Sequence, residues 1–443
     1  MKGSWCTMNC SRWPENWENN GIGRSTVSQG ELTMNLQEIM RTAESFQSEI
    51  VNFLLEFCAI PAVNPSFGGT GEFKRAVWLA DYLNNQGIPV EIKEVPDEAV
   101  PEGRRLNLIA YISGREASAP TLWLVAHLDT VAPGDKSSWA SDPFTPVVKG
   151  ERIYGRGVED NGQAVACITF AVKMLKQLGL VPERKVGLLF VSDEEAGSDK
   201  GLKHLVREGL FKPGDEALVP DSGTPDGGFL EIAEKSILWC KFNVQGKECH
   251  ASNPLAGINA GWIGSLLAVD MIKFLRGKYC HRDALFNPPF STFELTQKFG
   301  NVGSPNVIPG EDVFVVDFRV LPSIGLAEII EDIERLLSKY EYEYGVRIKY
   351  ETLQRLDAPK PTPVAAPIVK KLSGILKEFG VSSRIGGIGG GTCAAFLREA
   401  GIPAVVWSTI EETAHQPNEY VVIDNLVKDT AIMLALMMAQ NGA

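Results

Sequence analysis

The sequence lacks the two features that would direct the chain to a membrane or to nucleic acid. None of its apolar runs approaches the roughly 20 residues that a membrane-spanning helix requires. Basic residues are not in excess either, because the 443 residues carry a formal net charge of −12. An acidic chain of this kind argues against a general nucleic-acid surface. We therefore expect neither a membrane nor a nucleic acid as a partner.

Closely spaced cysteine pairs are also missing. None of the eight cysteines lies in a CxxC motif, and Cys167 and Cys240 fall within apolar helix and strand patterns. Buried, reduced thiols in a cytoplasmic protein are favoured over a disulfide framework. Residues 1–33 have neither periodicity nor the apolar segment of a secretion signal. We expect them to form a disordered leader, with Met34 as an alternative start of the chain.

Apolar periodicity divides the rest of the chain into a large α/β part and an inserted segment. Helical patterns alternate with short apolar strands over residues 34–235, which predicts a mainly parallel sheet covered on both faces. Residues 236–351 follow the order βαββαβ of a ferredoxin-like unit. The α/β pattern then resumes over residues 352–443. We predict an α/β catalytic domain formed by 34–235 and 352–443, with a ferredoxin-like α+β lid inserted between them.

Acidic residues and histidines follow several of the predicted strands. The carboxyl ends of parallel strands lie at one edge of a sheet, where sites assemble. Two imidazoles and several carboxylates would suit two divalent ions about 3.5–4 Å apart. Each residue alone has a plainer explanation, such as a surface histidine, a helix N-cap or a solvated acidic turn. The residues are His127, Asp129, Asp160, Glu194, Glu195, Asp221 and His415.

Glu194 and Glu195 are adjacent acids directly after the apolar strand KVGLLFVS and one more residue, Asp193. Their side chains point in different directions, so one can bind a metal while its neighbour faces a bound water. A carboxylate beside such a water can act as general base and then as proton donor. His127 and Asp129 are two residues apart at a strand end and share a face, which lets Asp129 fix the tautomer of a metal-binding imidazole.

Together these segments resemble the family of dinuclear metallo-amidohydrolases that contains aminoacylases, the ArgE and DapE deacylases and glutamate carboxypeptidases. The resemblance runs from about residue 40 to the C-terminus. Its motifs are HLDTV, GRGVEDNG, DEEAG, PDSG, GKECHASNP, GGGT and HQPNEY. It implies a zinc-peptidase-like catalytic domain with a lid that also serves dimerisation. It also implies two divalent metal ions, with zinc expected first and cobalt or manganese as alternatives.

The resemblance assigns a role to each residue of the motifs. One metal would be held by His127, Asp160 and Asp221. The other would be held by Asp160, Glu195 and His415, so that Asp160 bridges the two ions. Glu194 would be the general base, and Asp129 would orient His127. Relatives also have a cis peptide bond after the bridging aspartate, so we predict one between Asp160 and Asn161.

By the same resemblance, the lid supplies contacts to the substrate. His250 would stabilise the oxyanion with the metal, and dimeric relatives deliver the matching histidine to the partner's site. We therefore predict a homodimer formed through the lid. Arg319 would bind a free carboxylate of the substrate, unless it forms a plain ion pair with Asp317. The predicted substrate-binding residues are Asn306, Arg319, Gly391 and Thr392.

Two departures from the family pattern leave the substrate open. The position of Asp221 is usually glutamate in the family's deacylases and carboxypeptidases, and aspartate in its di- and tripeptidases. Cys393 follows Gly-Gly-Thr, where relatives often carry aspartate. A buried small thiol is favoured over a reactive nucleophile at this position, because no histidine partner is evident from the sequence.

Two other classes of protein can be weighed against a hydrolase. The segment from Gly389 to Ala394 fits the GxGxxA of a dinucleotide fingerprint, but VSSRIGGI before it is a poor buried strand. A catalytically inactive binding protein should lack a ligand or the base, and all are present. We therefore predict a cytoplasmic metal-dependent amidohydrolase that cleaves the amide bond of a small N-acyl amino acid, as deacetylases and desuccinylases do. A di- or tripeptidase or a carboxypeptidase is the alternative.

Overall fold

The computed structural model describes residues 26–29, 32–299 and 303–439. Most of the leader expected to be disordered, residues 1–25 with 30 and 31, lies outside these described residues. Of its last part, residues 26–29 pair with residues 32–35 as an antiparallel hairpin, and the disorder of the leader stays a prediction. Among the described helices, none combines the length and the apolar character that a membrane crossing needs.

Strands and helices alternate along most of the described chain. The strands are β1 (Thr26–Gln29), β2 (Leu32–Asn35), β3 (Val90–Pro96), β4 (Arg104–Ile112), β5 (Leu122–His127), β6 (Val147–Lys149), β7 (Arg152–Tyr154), β8 (Val186–Val191), β9 (Glu216–Val219), β10 (Phe229–Glu234), β11 (Ser236–Gln245), β12 (Cys249–His250), β13 (Thr292–Lys298), β14 (Val307–Ile308), β15 (Glu311–Val320), β16 (Arg347–Leu356), β17 (Arg384–Ile388), β18 (Ala404–Val406) and β19 (Tyr420–Val422). The helices are α1 (Leu36–Ser45), α2 (Gln47–Cys58), α3 (Phe73–Asn85), α4 (Gln163–Gln177), α5 (Leu202–Arg207), α6 (Ala260–Lys278), α7 (Leu326–Tyr344), α8 (Pro367–Glu378), α9 (Ala394–Glu399) and α10 (Ile423–Met438).

The large sheet runs in the order β17-β10-β18-β9-β5-β8-β4-β3. Its central strands β18, β9, β5 and β8 are parallel neighbours. The pair β10/β18 on one side of this centre and the pairs β4/β8 and β3/β4 on the other are antiparallel, so both sides of the sheet depart from the parallel pattern. Every residue of β5 and β8 is buried, as expected for strands covered on both faces. The prediction of a mainly parallel α/β sheet is confirmed.

Alternate residues of β5 enter two different cores. Leu124 packs into the larger core, which helices α2, α4, α8 and α10 complete. Trp123 and Val125 point to the opposite face and pack with Leu205 of α5 and Leu397 of α9. This alternation follows from the two-residue period of a strand. Helices on both faces leave the carboxyl edge of the sheet as the open side.

The inserted segment has its own antiparallel sheet, in the order β13-β15-β11-β16. Helices α6 and α7 share a core with it that includes Phe242, Phe314 and Ile333. The βαββαβ prediction is confirmed, although β16 ends at Leu356 rather than near residue 351. Lys235 alone separates β10 of the large sheet from β11 of the lid, and its ammonium donates to the carbonyls of Pro288 and Phe290. The predicted domain boundaries stay a prediction beyond these strand assignments.

A small sheet of β19, β7 and β6 joins two distant parts of the chain. Tyr420 pairs with Tyr154 in this sheet. The pairing brings the loop before β19 alongside the glycine-rich turn that follows β7. Two of the sequence motifs, GRGVEDNG and HQPNEY, therefore meet.

Candidate dinuclear metal site

The expected metal-binding residues converge at the carboxyl edge of the large sheet. His127 is the last residue of β5, and Asp221 follows the end of β9. Glu194 and Glu195 lie in a short helical turn after β8. His415 lies in the loop between β18 and β19. Since β18, β9, β5 and β8 are parallel neighbours, all four loops open at the same edge.

Asp160 reaches this edge from an irregular turn, Val158–Gly162, that immediately precedes α4. The chain enters the turn through Gly157 at φ 80°, a conformation that favours glycine. A Cβ at Gly157 would also lie 2.6 Å from the Thr130 Cγ2 atom. The peptide bond between Asp160 and Asn161 is cis, which confirms the prediction.

Two groups of potential metal ligands share the Asp160 carboxylate. In the first group, Nε2 of His127 lies 2.8 Å from Oδ1 of Asp160 and 3.2 Å from Oδ1 of Asp221. In the second, Nε2 of His415 lies 3.0 Å from Oδ2 of Asp160 and 3.1 Å from Oε2 of Glu195. Within each group the ligand atoms lie within 4.8 Å of one another. Asp160 thus offers one oxygen to each group, as a bridging carboxylate does, and each set of nitrogen and oxygen donors fits a divalent ion such as zinc.

The electrostatics of the cluster favour added positive charge. Hydrogen bonds to Asp160 and Glu195 raise the pKa of His415 to about 10. Burial acts against protonation of His127, yet the charge of Asp221 and hydrogen bonds to neighbouring carboxylates raise the pKa of that imidazole as well. Protons held this firmly mark the positions where a cation is stabilised, and a bound metal would replace them.

Glu194 stands beside both groups without belonging to either. Its Oε1 accepts a hydrogen bond of 3.1 Å from the Cys393 backbone N–H. Burial, followed by the charge of Asp221, raises the pKa of Glu194 well above its ordinary value. A carboxyl group with a raised pKa next to a metal pair can take up a proton and give it back.

Asp129 holds more than the histidine beside it. The Nδ1 atom of His127 lies 3.1 Å from the main-chain oxygen of Asp129, but 3.5 Å from its carboxylate. The Asp129 carboxylate instead accepts hydrogen bonds from the backbone N–H groups of Glu194 and Glu195, and from the Asn64 side chain at 2.8 Å. The expected orienting contact is therefore made mainly by the backbone, while the side chain fixes the turn that carries the two glutamates.

Two supporting residues were not found by sequence reasoning. The Asn161 side chain donates to Oδ1 of Asp221 at 2.8 Å and accepts from the His127 backbone N–H. Glu419 is fully buried, and its Oε1 accepts from the backbone N–H groups of Glu159 and Asp160. Both residues lie within motifs that carry the family resemblance. Asn161 directly follows the ligand Asp160, which is a local signal of a supporting role, whereas Glu419 lies four residues after His415 and has no such signal.

The predicted substrate-binding residues fall into two places. Gly391 and Thr392 line a cavity of about 550 Å³ that also includes Asp160, Glu194, Glu195, Asp221 and His415. His250 and Asn306 lie together on the lid, where β12 pairs with β14, and both are exposed. Neither is among the residues that line this cavity.

Arg319 forms the ion pair that was considered as the alternative. Its Nε lies 2.8 Å from Oδ1 of Asp317, and its Nη2 lies 3.0 Å from Oδ2 of the same carboxylate. The remaining Nη1 donates to the carbonyl of Gly389, next to Gly390 in the wall of the cavity. A substrate carboxylate would have to share this guanidinium with Asp317.

Comparison with known proteins agrees with this geometry. Residues 123–439 match the sequence model described as peptidase family M20/M25/M40. The chain belongs to this family. Members of the family bind two metal ions. As a member of this family of hydrolases, the chain is a metal-dependent hydrolase that acts on amide bonds.

This M20-family chain is similar in sequence to a deacylase and similar in fold to a peptidase. An uncharacterized metallohydrolase of Methanocaldococcus jannaschii is 38% identical over 410 residues, which cover 88% of this chain and 98% of that one. A succinyl-diaminopimelate desuccinylase of Methylobacterium sp. (strain 4-46) is 28% identical, covering 86% and 93% of the two chains. The crystal structure of a tripeptidase from Staphylococcus aureus superposes with a TM-score of 0.71 at 18% identity, covering 88% and 98%. The last likeness concerns the fold alone.

Proposed function

We propose that the chain is a deacylase with two zinc ions that hydrolyses the amide bond of a small N-acyl amino acid. One ion would be held by His127, Asp160 and Asp221, and the other by Asp160, Glu195 and His415, with cobalt or manganese as alternatives to zinc. The two ligand groups that share Asp160 carry this proposal. Mixed imidazole and carboxylate sites accept several divalent ions, so the metal has to be measured.

Glu194 would act as the general base. When bound, the two ions would supply Lewis acidity toward the scissile carbonyl and toward water. Glu194 would take a proton from the attacking water and pass it to the leaving nitrogen. Its backbone is fixed by Asp129, and its carboxyl group by the Cys393 N–H. Both contacts hold the carboxyl group at the wall of the cavity.

The size and lining of the cavity support a small substrate. A volume of about 550 Å³ suits an amino-acid derivative or a short peptide. Gly391 and Thr392 line the cavity together with Ile237 and Leu356 of the lid, and a Cβ at Gly391 would lie 2.9 Å from the Leu356 Cδ2 atom. A di- or tripeptidase is the alternative, because the family's di- and tripeptidases also carry aspartate at the position of Asp221. An inactive binding protein is not favoured, since base and ligands are all present.

We propose further that two chains associate through the lid and exchange His250. The lid bears exposed apolar side chains on α6, where Trp262 is 58% and Phe274 43% exposed. It also has an edge strand, β13, on which Leu295 is 42% exposed. Exposed apolar surface of this kind marks association sites. His250 would then complete the partner's cavity, and Asn306 beside it would contact the same substrate.

Arg319 would recognise the free carboxylate of the substrate through its planar fork. The support for this role is its contact with Gly389, one residue from the wall of the cavity.

We also propose a cytoplasmic location. The cysteines in the described part of the chain are all free thiols, which agrees with a reducing compartment.

A substrate panel tests the proposed function. The metal-free chain would be reconstituted separately with zinc, cobalt and manganese, and assayed on N-acetyl amino acids, N-succinyl amino acids, dipeptides and tripeptides. We expect kcat/KM for one acyl class to exceed that for any peptide by at least about tenfold, equivalent to 1.4 kcal/mol. A preference for peptides would establish the peptidase instead. No turnover with any metal, together with tight binding of a substrate, would establish the binding protein.

A further inference from the structure

A third group of potential ligands adjoins the two already described. The Cys393 Sγ atom and one oxygen each of Glu194 and Asp221 lie within 4.8 Å of one another. Asp221 therefore belongs both to this group and to the first metal group. The proposed reaction uses Glu194 as a base and has no role for the Cys393 side chain.

The Cys393 thiol is positioned for a ligand rather than for packing alone. It is only 2% exposed, yet it lines the cavity that contains the metal groups. None of the described residues forms a hydrogen bond with its Sγ atom, whereas its backbone N–H is bonded to Glu194. Its position is fixed, because it directly precedes α9 and follows Thr392, whose hydroxyl donates to Glu234. The thiol is thus buried, lies near two carboxylates and has no hydrogen-bond partner within the described part of the chain.

The chemistry of this third group differs from that of the other two. A sulfur and carboxylate oxygens together suit a soft divalent ion such as cadmium, or zinc present beyond two equivalents. They are poor ligands for magnesium or calcium. The cavity around this group is lined by five carboxylates, those of Asp160, Glu194, Glu195, Asp199 and Asp221, and by the basic side chains of Lys203 and Arg355.

We propose that Cys393, Glu194 and Asp221 form a third, weaker site for a soft divalent cation, and that its occupation inhibits the enzyme. The Cys393 thiol gives its proton to solvent, and the thiolate sulfur forms a bond to the incoming ion. Glu194 then donates a lone pair to that ion and no longer accepts a proton from water. The binding step depends only on the geometry of these residues. The inhibition rests on the proposed role of Glu194 as the base.

Cadmium binding tests the site directly. Chain loaded with two equivalents of zinc would be titrated with cadmium, while bound cadmium, retained zinc and the ultraviolet absorption of a thiolate–cadmium bond are measured. Exposed thiols such as Cys280 contribute a background, so the quantity of interest is the difference between wild type and Cys393→Ala. We expect Cys393→Ala to bind one equivalent less, with lower absorption, while both proteins keep their zinc. Cys280→Ala is the matched control. It should lose only the cadmium that the exposed Cys280 thiol binds and should still be inhibited by cadmium.

Inhibition is measured on the same proteins, each relative to its own rate without cadmium. The concentration of cadmium that halves the rate should rise about tenfold or more in Cys393→Ala. Cys393→Ser retains the size of the side chain and should behave in the same way if the alanine variant folds poorly. Glu194→Gln should bind the extra cadmium more weakly. Equal binding and equal absorption in wild type and Cys393→Ala would overturn the site. Binding at Cys393 without inhibition would retain the site and refute the base role of Glu194.

Discussion

Replacing Glu419 by glutamine should loosen the turn that carries Asp160. The Glu419 Oε1 atom accepts from the backbone N–H groups of Glu159 and Asp160, at 2.9 and 3.1 Å. Its Oε2 atom accepts from Gly157 N at 3.1 Å and from Nη1 of Arg156 at 2.6 Å. All four partners are donors. These four donors favour an ionised carboxylate, which has only acceptor atoms, against the burial that raises the pKa of Glu419 to about 7.

The size of the effect follows from what glutamine cannot do. Its amide group has one acceptor and one donor atom, so an NH₂ group would face two of these four donors. Two hydrogen bonds would be lost, at about 0.5–3 kcal/mol each. Arg156 is 1% exposed and would lose its buried counter-charge. Breaking a buried ion pair by removing one partner costs about 3–5 kcal/mol. The two figures are not added, because the ion pair with Arg156 is also one of the hydrogen bonds. We expect Glu419→Gln to lower the free energy of unfolding by about 3–5 kcal/mol in total.

Urea unfolding with and without metal measures the change. The metal-free variant should unfold at a clearly lower urea concentration than metal-free wild type. Because Asp160 belongs to both ligand groups, both metal sites should weaken together in a metal titration. Glu412→Gln, an exposed change in the same loop, is the matched control and should match wild type. An unchanged urea midpoint and unchanged metal content in Glu419→Gln would refute the reasoning.

Four further predictions concern other parts of the molecule. Glu194→Gln should keep two metal equivalents and lose about 10²–10⁴ in kcat; loss of one metal would make Glu194 a ligand instead. His250→Ala mixed with Glu194→Gln should regain partial activity through hybrid dimers, and no recovery after verified subunit exchange would exclude the exchange of His250. Arg319→Lys should lower kcat/KM for a free acid by about 10–100-fold and much less for its amide, whereas equal losses would leave Arg319 only a structural role. Burial raises the pKa of Glu231 from 4.5 to about 8, so the folded chain keeps a proton that the unfolded chain releases. The free energy of unfolding should therefore fall as the pH rises from about 5 to about 8. Glu231→Gln should make this dependence of stability on pH shallower in urea unfolding.

The metal ligands could be predicted because each lies close to the end of an element that the sequence itself marks. The apolar run before His127 predicts β5, and the run before Glu194 predicts β8, so both side chains are placed at the carboxyl edge. Parallel pairing of those strands then brings them together. The ferredoxin-like segment could also be predicted, because the alternation of apolar and polar residues marks its strands and helices over their full lengths.

The supporting residues could not be predicted, because their roles depend on contacts between distant parts of the chain. Glu419 lies 259 residues from Asp160, and nothing in its local sequence distinguishes a buried carboxylate from a surface one. Asn64 reaches Asp129 across 65 residues in the same way. Similarly, the sequence offers two partners for Arg319, a substrate and Asp317, and only the geometry of its side chain shows that Asp317 already occupies much of it.

The two parts of the chain explain why similarity identifies the reaction but not the substrate. Every proposed metal ligand lies outside the lid, at the carboxyl edge of the large sheet or, for Asp160, in the turn after β7, and there deacylases and peptidases of the family have the same chemistry to perform. The cavity is also lined by lid residues at the ends of β11 and β16, namely Ile237, Gln354, Arg355 and Leu356. A substrate in this cavity would meet these lid residues as well as the metal ligands, so we expect the lid residues to select its side chain or acyl group. Exchanging Gln354 and Leu356 for the residues of a relative with known specificity should therefore change the preferred substrate while the metal content stays the same, and a change in metal content instead would show that the lid residues and the metal site are not independent.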